Sequence, residues 1–303
     1  MIKITNTFKS YLCTNCGRGS RLDVEELELA ITTFGERKIL NKPVDCACGN
    51  KFTLYQGMIE ELVADSPIAA LEAVCNVRYF DSAEITVGKE YRVTLPRKLL
   101  INKVYLTNMD APCTVAPYFY SEFETDSFTI VSSESADATD LNYRKFGENH
   151  KVSWRVYGKD GDKPTETWLM LLTQIKEQIL HGQYNIAVLT SEMMFESFLD
   201  STLNKLLISQ GLSQDAAYTI VESISSILNK AHKLLKDLNG QGLQGAGKGK
   251  NPINKEWQDL LKLRNKIAHG ENVEVDKDKA QWALRTALDA IFFIYNNCEM
   301  YEW

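Results

Sequence analysis

The pattern of apolar and polar positions divides the 303 residues into three regions of different character. Between about 75 and 160 the apolar residues come in short runs rich in Val, Ile, Thr and aromatics: EITV (84–87), YRVTL (91–95), KVYLT (103–107), TVAPYFY (114–120), SFTIVS (127–132) and VSWRVY (152–157). Turn residues separate them, as in Val87-Gly88-Lys89 and Asn108-Met109-Asp110. Short strands at this spacing predict an antiparallel β-sandwich with Trp154 in its core, and the polar stretch Ser133 to Asn142 reads as a loop. After Gly158-Lys159-Asp160-Gly161-Asp162-Lys163-Pro164 the period lengthens to that of helices, expected at about 165–181, 183–210, 213–238, 253–269 and 276–300, with Thr165 as the first N-cap. The third and fourth of these are joined by NGQGLQGAGKGKNP (239–252), a glycine-rich loop. The first 62 residues have neither period and end in a short amphipathic run, Gln56 to Val63.

The whole is therefore expected to be a multidomain α+β protein: a small N-terminal module over 1–62, a sandwich over 75–160 and a helical bundle over 164–303. A hydrophobic content of 44% with 24% charged residues excludes a disordered or fibrous chain. The net charge of −6 argues against a surface coated by nucleic acid, though not against a local basic site. No run approaches the roughly 18 apolar residues of a membrane span, so no membrane partner is expected. The opening MIKITNTFKSYLC lacks the apolar core of a signal peptide, which points to a cytoplasmic location.

Seven cysteines change the picture of the N-terminal module. Cys13-Thr14-Asn15-Cys16-Gly17 and Cys46-Ala47-Cys48-Gly49 are two tight turns that each present two thiols. Zinc takes four such ligands in a tetrahedron, and a small module gains its fold from the metal. The arrangement resembles a zinc ribbon holding a structural Zn(2+) through Cys13, Cys16, Cys46 and Cys48, with a Cys-x-Cys second turn where the usual pattern has Cys-x-x-Cys. Four sulfur ligands leave no open position for catalysis. Cys75, Cys113 and Cys298 read as small core residues, and His150, His181 and His232 as surface or loop histidines.

The most informative helical segment is Trp257 to Gly270. At about 100° per residue, Trp257, Leu260, Leu261, Leu263, Ile267 and Ala268 form one broad apolar face, and Arg264 falls near its middle. A guanidinium there needs a partner or a wet cleft. The second helix carries Glu196 inside its stripe of Leu189, Leu203 and Leu207, so a Glu196–Arg264 pair is expected, with Glu192 as the second candidate. Asn265 lies four residues before His269 on the same side, placed to hydrogen-bond the imidazole. Gly270 is a helix stop, leaving His269 at a helix C-terminus. From Asn229 to Gly270, nine Lys and Arg residues stand against three acids. Lys248, Lys250, Lys262 and Lys266 are the candidate phosphate contacts.

Arg264-Asn265-Lys266-Ile267-Ala268-His269 matches the Arg-polar-x-x-x-His motif of HEPN domains, and residues 164–303 resemble that family in helix number and order. So does the helix that carries GQYNIAVLTSEMMFESFL (182–199). The resemblance implies a metal-independent endoribonuclease, working as a homodimer whose two motifs face one RNA cleft. Such enzymes act in phage defence or toxin-like growth arrest. The motif carries roles onto Arg264, Asn265 and His269; Glu196 joins the catalytic set on the helical-wheel argument alone. The chemistry is coherent without the family, because an imidazole titrates near neutrality and a guanidinium forks onto phosphate. The expected partners are RNA (tRNA or mRNA), a second copy of the chain, and a protein trigger or antitoxin such as a nucleotidyltransferase. The rival expectation is a non-enzymatic adaptor that binds protein or nucleic acid through ribbon and sandwich and dimerises through its helices.

Overall fold

The computed structural model describes residues 10–21, 43–64, 70, 74–75, 77–110, 113–119, 123–134, 144–159, 166–245 and 252–298. They fall into two compact units, Met1–Ala70 with Thr165–Trp303, and Leu71–Pro164.

The Leu71–Pro164 unit is one five-stranded antiparallel sheet. Its strands are β5 (Val77–Thr86), β6 (Glu90–Asn108), β7 (Thr114–Tyr118), β8 (Thr125–Ser133) and β9 (Asn149–Lys159), in the order β5-β9-β6-β8-β7. The runs YRVTL and KVYLT, read as two strands, are two halves of β6. The first half pairs with β8 (Val93 opposite Phe128), the second with β9 (Leu106 opposite Trp154). Pro96, which has no N–H to give a ladder, falls within the register shift between Thr94 and Leu99. Tyr91 and Trp154 pack at 6.1 Å although Tyr91 is fifteen residues from Leu106, the partner of Trp154. A straight strand would hold those positions about 50 Å apart, so β6 bends and the sheet folds over a single core. Ile101, Phe128, Ile130, Val152, Trp154 and Val156 fill that core. The expected sandwich of separate short strands is thus corrected to one sheet folded through a shared long strand.

In the other unit, two antiparallel hairpins present the cysteine turns: β1 (Ser10–Leu12) with β2 (Gly19–Arg21), and β3 (Pro43–Asp45) with β4 (Lys51–Thr53). β4 runs directly into α1 (Leu54–Val63). Thr53 caps it, accepting from Gln56 N while Gln56 Oε1 accepts from Thr53 N, a reciprocal box that fixes where the helix starts.

The helices that follow are α2 (Thr167–Leu180), α3 (Tyr184–Ser209), α4 (Gln214–Ser223), a composite α5 (227–239), α6 (Pro252–Ala268) and α7 (Lys277–Asn297). Thr165 lies outside the described residues; Glu166 occupies the cap position of α2 and sends its carboxylate to Ser201 and Lys205 instead. α3 is central: thirteen of its 26 residues are buried, which is why its apolar residues cover nearly every face. Its buried Ser191 and Thr202 bond back to the carbonyls of Ala187 and Phe198, so neither hydroxyl is orphaned.

The single helix expected over 213–238 is two. Ile224 is extended, and Ser226 restarts the chain by accepting from Asn229 N. Serines compete locally with helical hydrogen bonding, and Ser223, Ser225 and Ser226 crowd this point. α5 then contains a π-helical turn, Lys230–Leu234.

α1 docks on the helices. Arg285 of α7 makes two bonds of 2.7 Å to the Glu60 carboxylate. Tyr55 donates to Asp289 and meets the edge of Phe292. Buried Lys176 of α2 donates to the carbonyls of Val63 and Ala64, closing the C-terminus of α1.

Candidate functional site

The four N-terminal cysteines are brought together as expected. Their sulfurs all lie within 4.8 Å of one another, with Cys13–Cys48 at 3.7 Å and Cys16–Cys46 at 3.6 Å. Sulfurs about 2.3 Å from a metal at a tetrahedron's centre stand about 3.8 Å apart, so the cluster could hold a metal ion with little movement. Each knuckle closes on a glycine of positive φ, Gly17 at 66° and Gly49 at 86°. The shorter Cys-x-Cys turn therefore still aims both its sulfurs inward. Asn50 points its amide at Cys13 Sγ from 3.7 Å and donates to Thr14 Oγ1 at 2.7 Å, tying one knuckle to the other. The backbone N–H of Cys16 is the main cause that holds the Cys13 thiol down at about 6. Cys46 is pushed up to about 12: although the Cys48 N–H lowers it, burial and the neighbouring sulfurs oppose a further negative charge. A cation relieves that opposition.

The second site lies among the helices. Arg264 of α6 projects towards α3, and its Nε stands 3.4 Å from Glu192 Oε2. The expected partner Glu196 is replaced by Glu192, one turn earlier on the same face; Glu196 lines the cavity beside it. Glu192 is 2% exposed, and its Oε2 receives no properly directed hydrogen bond among the described residues. Burial, helped by the Glu196 charge and opposed by Arg264, raises the Glu192 carboxyl to about 7.

These groups border a cavity of about 390 Å³. Its walls are α3 (Glu192, Glu196), the break before α5 (Ser225, Ser226), the first turn of α5 (Leu228) and α6 (Gln258, Lys262, Arg264, Asn265). The break at Ile224 thus opens a wall that a continuous helix would have presented differently. Asn265 Oδ1 accepts from Arg264 Nη1 at 3.1 Å, so it braces the guanidinium rather than the His269 ring. Only Trp257 and Leu260 of the predicted apolar face are fully buried, with Trp257 packed 5.1 Å from Phe195. Leu261, Leu263 and Ile267 are half-buried, and Ala268 is exposed. Arg264 therefore sits in a wet cleft and has a partner as well.

His269 is exposed at the end of α6, as its position before Gly270 predicts. Gly270 has φ 73°, its N–H reaches Ile267 O, and Glu271 N reaches Lys266 O, the paired bonds of a Schellman stop. Lys262 and Lys266 are exposed on the same helix, Lys262 bonded to Asp259 at 2.9 Å. Lys248 and Lys250 lie outside the described residues. One residue counted in the basic segment is not a surface cation: Lys230 is buried and paired with Asp200 at 2.9 Å.

Two histidines depart from the surface reading. His232 donates from Nε2 to Asn254 at 2.7 Å, and its Nδ1 lies 3.1 Å from the Gln244 amide. His150 is fully buried in the sheet unit, with Cys113 Sγ 3.0 Å from Nδ1 and Ser132 Oγ 2.8 Å from Nε2. The order thiol, imidazole, hydroxyl is that of a catalytic triad. Burial, however, raises the thiol and lowers the imidazole, favouring the neutral form of both, and all three groups are enclosed. They act as a satisfied polar knot in the core. An alternating strand pattern cannot signal this, because Cys113 lies outside the strands, just before β7.

Among the described residues no helix is long and apolar enough to cross a membrane. No protein-family model, no curated protein and no solved structure matches this chain.

Proposed function

We propose that this chain is a metal-independent endoribonuclease of the HEPN type, with a ribbon that holds a structural zinc ion. One observation carries the reading: Arg264, held by Glu192 and Asn265, stands on the wall of an open cavity, on a helix whose end bears the exposed His269. An arginine fixed through Nε keeps terminal N–H groups for a phosphodiester, where it offsets the charge that develops during cleavage. The RNA supplies its own nucleophile. A base takes the 2′-hydroxyl proton, the oxygen attacks phosphorus, and the 5′-oxygen leaves with a proton from an acid. This yields a cyclic 2′,3′-phosphate and a free 5′-hydroxyl. Imidazoles serve as base and acid near neutral pH. A homodimer would bring two His269 side chains to one cleft, one for each role. The half-buried Leu261, Leu263 and Ile267 leave α6 an apolar surface on which a second copy could pack. Exposed Lys262 and Lys266 extend the phosphate track. A cellular setting in phage defence or growth arrest, with a trigger or antitoxin, follows from the same reading.

Purified protein incubated with total RNA and EDTA tests it, beside Arg264→Ala and His269→Ala variants. The proposal expects cleavage that survives chelation and is lost in both variants, by about a hundredfold or more. Cleavage retained in both variants would end it. The adaptor reading has one observation in its favour, the exposed Phe80, Phe123 and Phe146 of the sheet unit. It expects stable capture of a partner that survives both substitutions but not Phe80→Ser.

A further inference from the structure

We propose that the outer face of strands β5, β9 and β6 binds single-stranded RNA, with Phe80 stacking a base and Arg155 meeting a backbone phosphate. This surface belongs to the Leu71–Pro164 unit and does not rest on the nuclease reading. The strand register places its residues. Tyr79 stands opposite Val156, and Val156 opposite Val104, all three on the core side of the sheet. The adjoining positions Phe80, Arg155 and Tyr105 are likewise opposite one another, and the pleat turns them to the other face. One row away on that face are Arg78, Tyr157 and Lys103. In the other direction come Ser82, Ser153 and Thr107, and then Glu84 with Lys151. Successive rows lie about 6–7 Å apart.

The composition of these rows fits a strand of unpaired bases. Phe80 is 68% exposed, and the exposed Arg155 lies directly beside it. Aromatic rings and guanidinium planes are the two surfaces on which splayed bases rest. Tyr105 meets Tyr157 edge-on at 5.8 Å, and Lys103 Nζ lies 6.0 Å from the Tyr105 ring centroid, so aromatic and cationic groups interleave. The four rows carry the cations Arg78, Lys103, Lys151 and Arg155 against a single acid, Glu84, on a chain of net charge −6. Phosphates require such a local excess. A protein partner would find no contiguous apolar patch here, because Arg78, Arg155 and Ser82 border Phe80. In a duplex the bases stack on one another and offer Phe80 no free face. The hydroxyls of Ser82 and Thr107, one row from Phe80 and Tyr105, are placed for a ribose 2′-hydroxyl, which favours RNA over DNA.

The test follows the fluorescence anisotropy of a labelled uridine dodecamer titrated with the full chain over a series of salt concentrations. The chain carries His269→Ala throughout, so that cleavage cannot consume the probe. The expected result is binding that Phe80→Ala weakens about fivefold or more and Phe80→Tyr, which keeps the ring, restores. Arg155→Gln should flatten the slope of log affinity against log salt by about 0.7, the share of one phosphate contact on a single strand. Melting temperatures should stay those of surface substitutions, since both side chains are exposed. The matching deoxythymidine strand and an RNA duplex of the same length should bind more weakly. No binding of the RNA strand, or an affinity and salt slope unchanged in Phe80→Ala and Arg155→Gln, overturns the proposal. So does a duplex bound as tightly as the single strand, and equal affinity for the deoxy strand overturns the choice of RNA. A protein captured through Phe80 by a chain that binds no RNA gives the surface to the adaptor reading instead. RNA binding that depends on Phe80, in a chain whose wild type cleaves nothing, supports this surface and counts against the nuclease reading.

Discussion

Arg264 and Glu192 show how one pair of side chains sets the properties of the helical cavity. The carboxyl is buried first and paired second, and desolvation outweighs the guanidinium 3.4 Å away, so it titrates at about 7. The sign of the consequence is fixed. A carboxyl raised above its unfolded value favours the fold below about pH 4.5, and that contribution is lost as the pH rises through 7. Glu192→Gln removes the titration. The variant is therefore expected to gain on the wild type by on the order of 2–3 kcal/mol between pH 5 and pH 8, read from urea unfolding at each pH. Parallel curves for the two proteins would show that Glu192 is ionised throughout.

At the scale of single elements, caps and knuckles place the chemistry. The Schellman stop puts His269 outside α6, and it depends on Gly270 at φ 73°. A Cβ at that position would meet nothing within 4 Å, so the cost of Gly270→Ala is conformational, about 1 kcal/mol, visible as a lowered melting temperature with the cavity unchanged. The cysteine knuckles are a second case. Three-residue strands cannot hold two hairpins together. Metal analysis should find one ion per chain, lost in Cys16→Ser and in Cys46→Ser. Chelation should make the segment around residues 10–21 sensitive to protease, because the bound ion supplies the folding free energy of such a module. Resistance to protease after complete metal loss would contradict this.

Across the Met1–Ala70 and Thr165–Trp303 unit, the ribbon and the helices are coupled by polar contacts as well as by packing. Arg285 grips Glu60, Tyr55 donates to half-buried Asp289, and Lys176 closes α1. Arg285→Ala leaves Glu60 facing Asp289 and Tyr55 without its cation. The expected loss is about 1–3 kcal/mol, with a lower denaturant midpoint for the helical signal. If only the ribbon loosened while helix unfolding stayed put, the contact would be a dock without energetic coupling. The fold of the sheet unit is set at this scale too, since β6 reaches both β8 and β9 only by bending across its own middle.

By itself the sequence determined the features that arise from neighbouring residues: the two cysteine turns with their glycines, the helix stop at Gly270, the strand-rich and helix-rich regions, and an arginine that had to find a partner on its apolar face. Each is dictated by local geometry, which a few adjacent residues suffice to state. Tertiary structure alone decided that Glu192 rather than Glu196 meets Arg264, because one helical turn separates two acids on the same face and only the crossing of α3 and α6 selects between them. It also decided that Lys230 and His150 are buried, that β6 is one bent strand, and that a serine-rich break opens the cavity wall. Periodicity reports which face of an element is apolar; it carries no information on which other element will arrive there, and partner choice is settled by packing over distances the local pattern does not span.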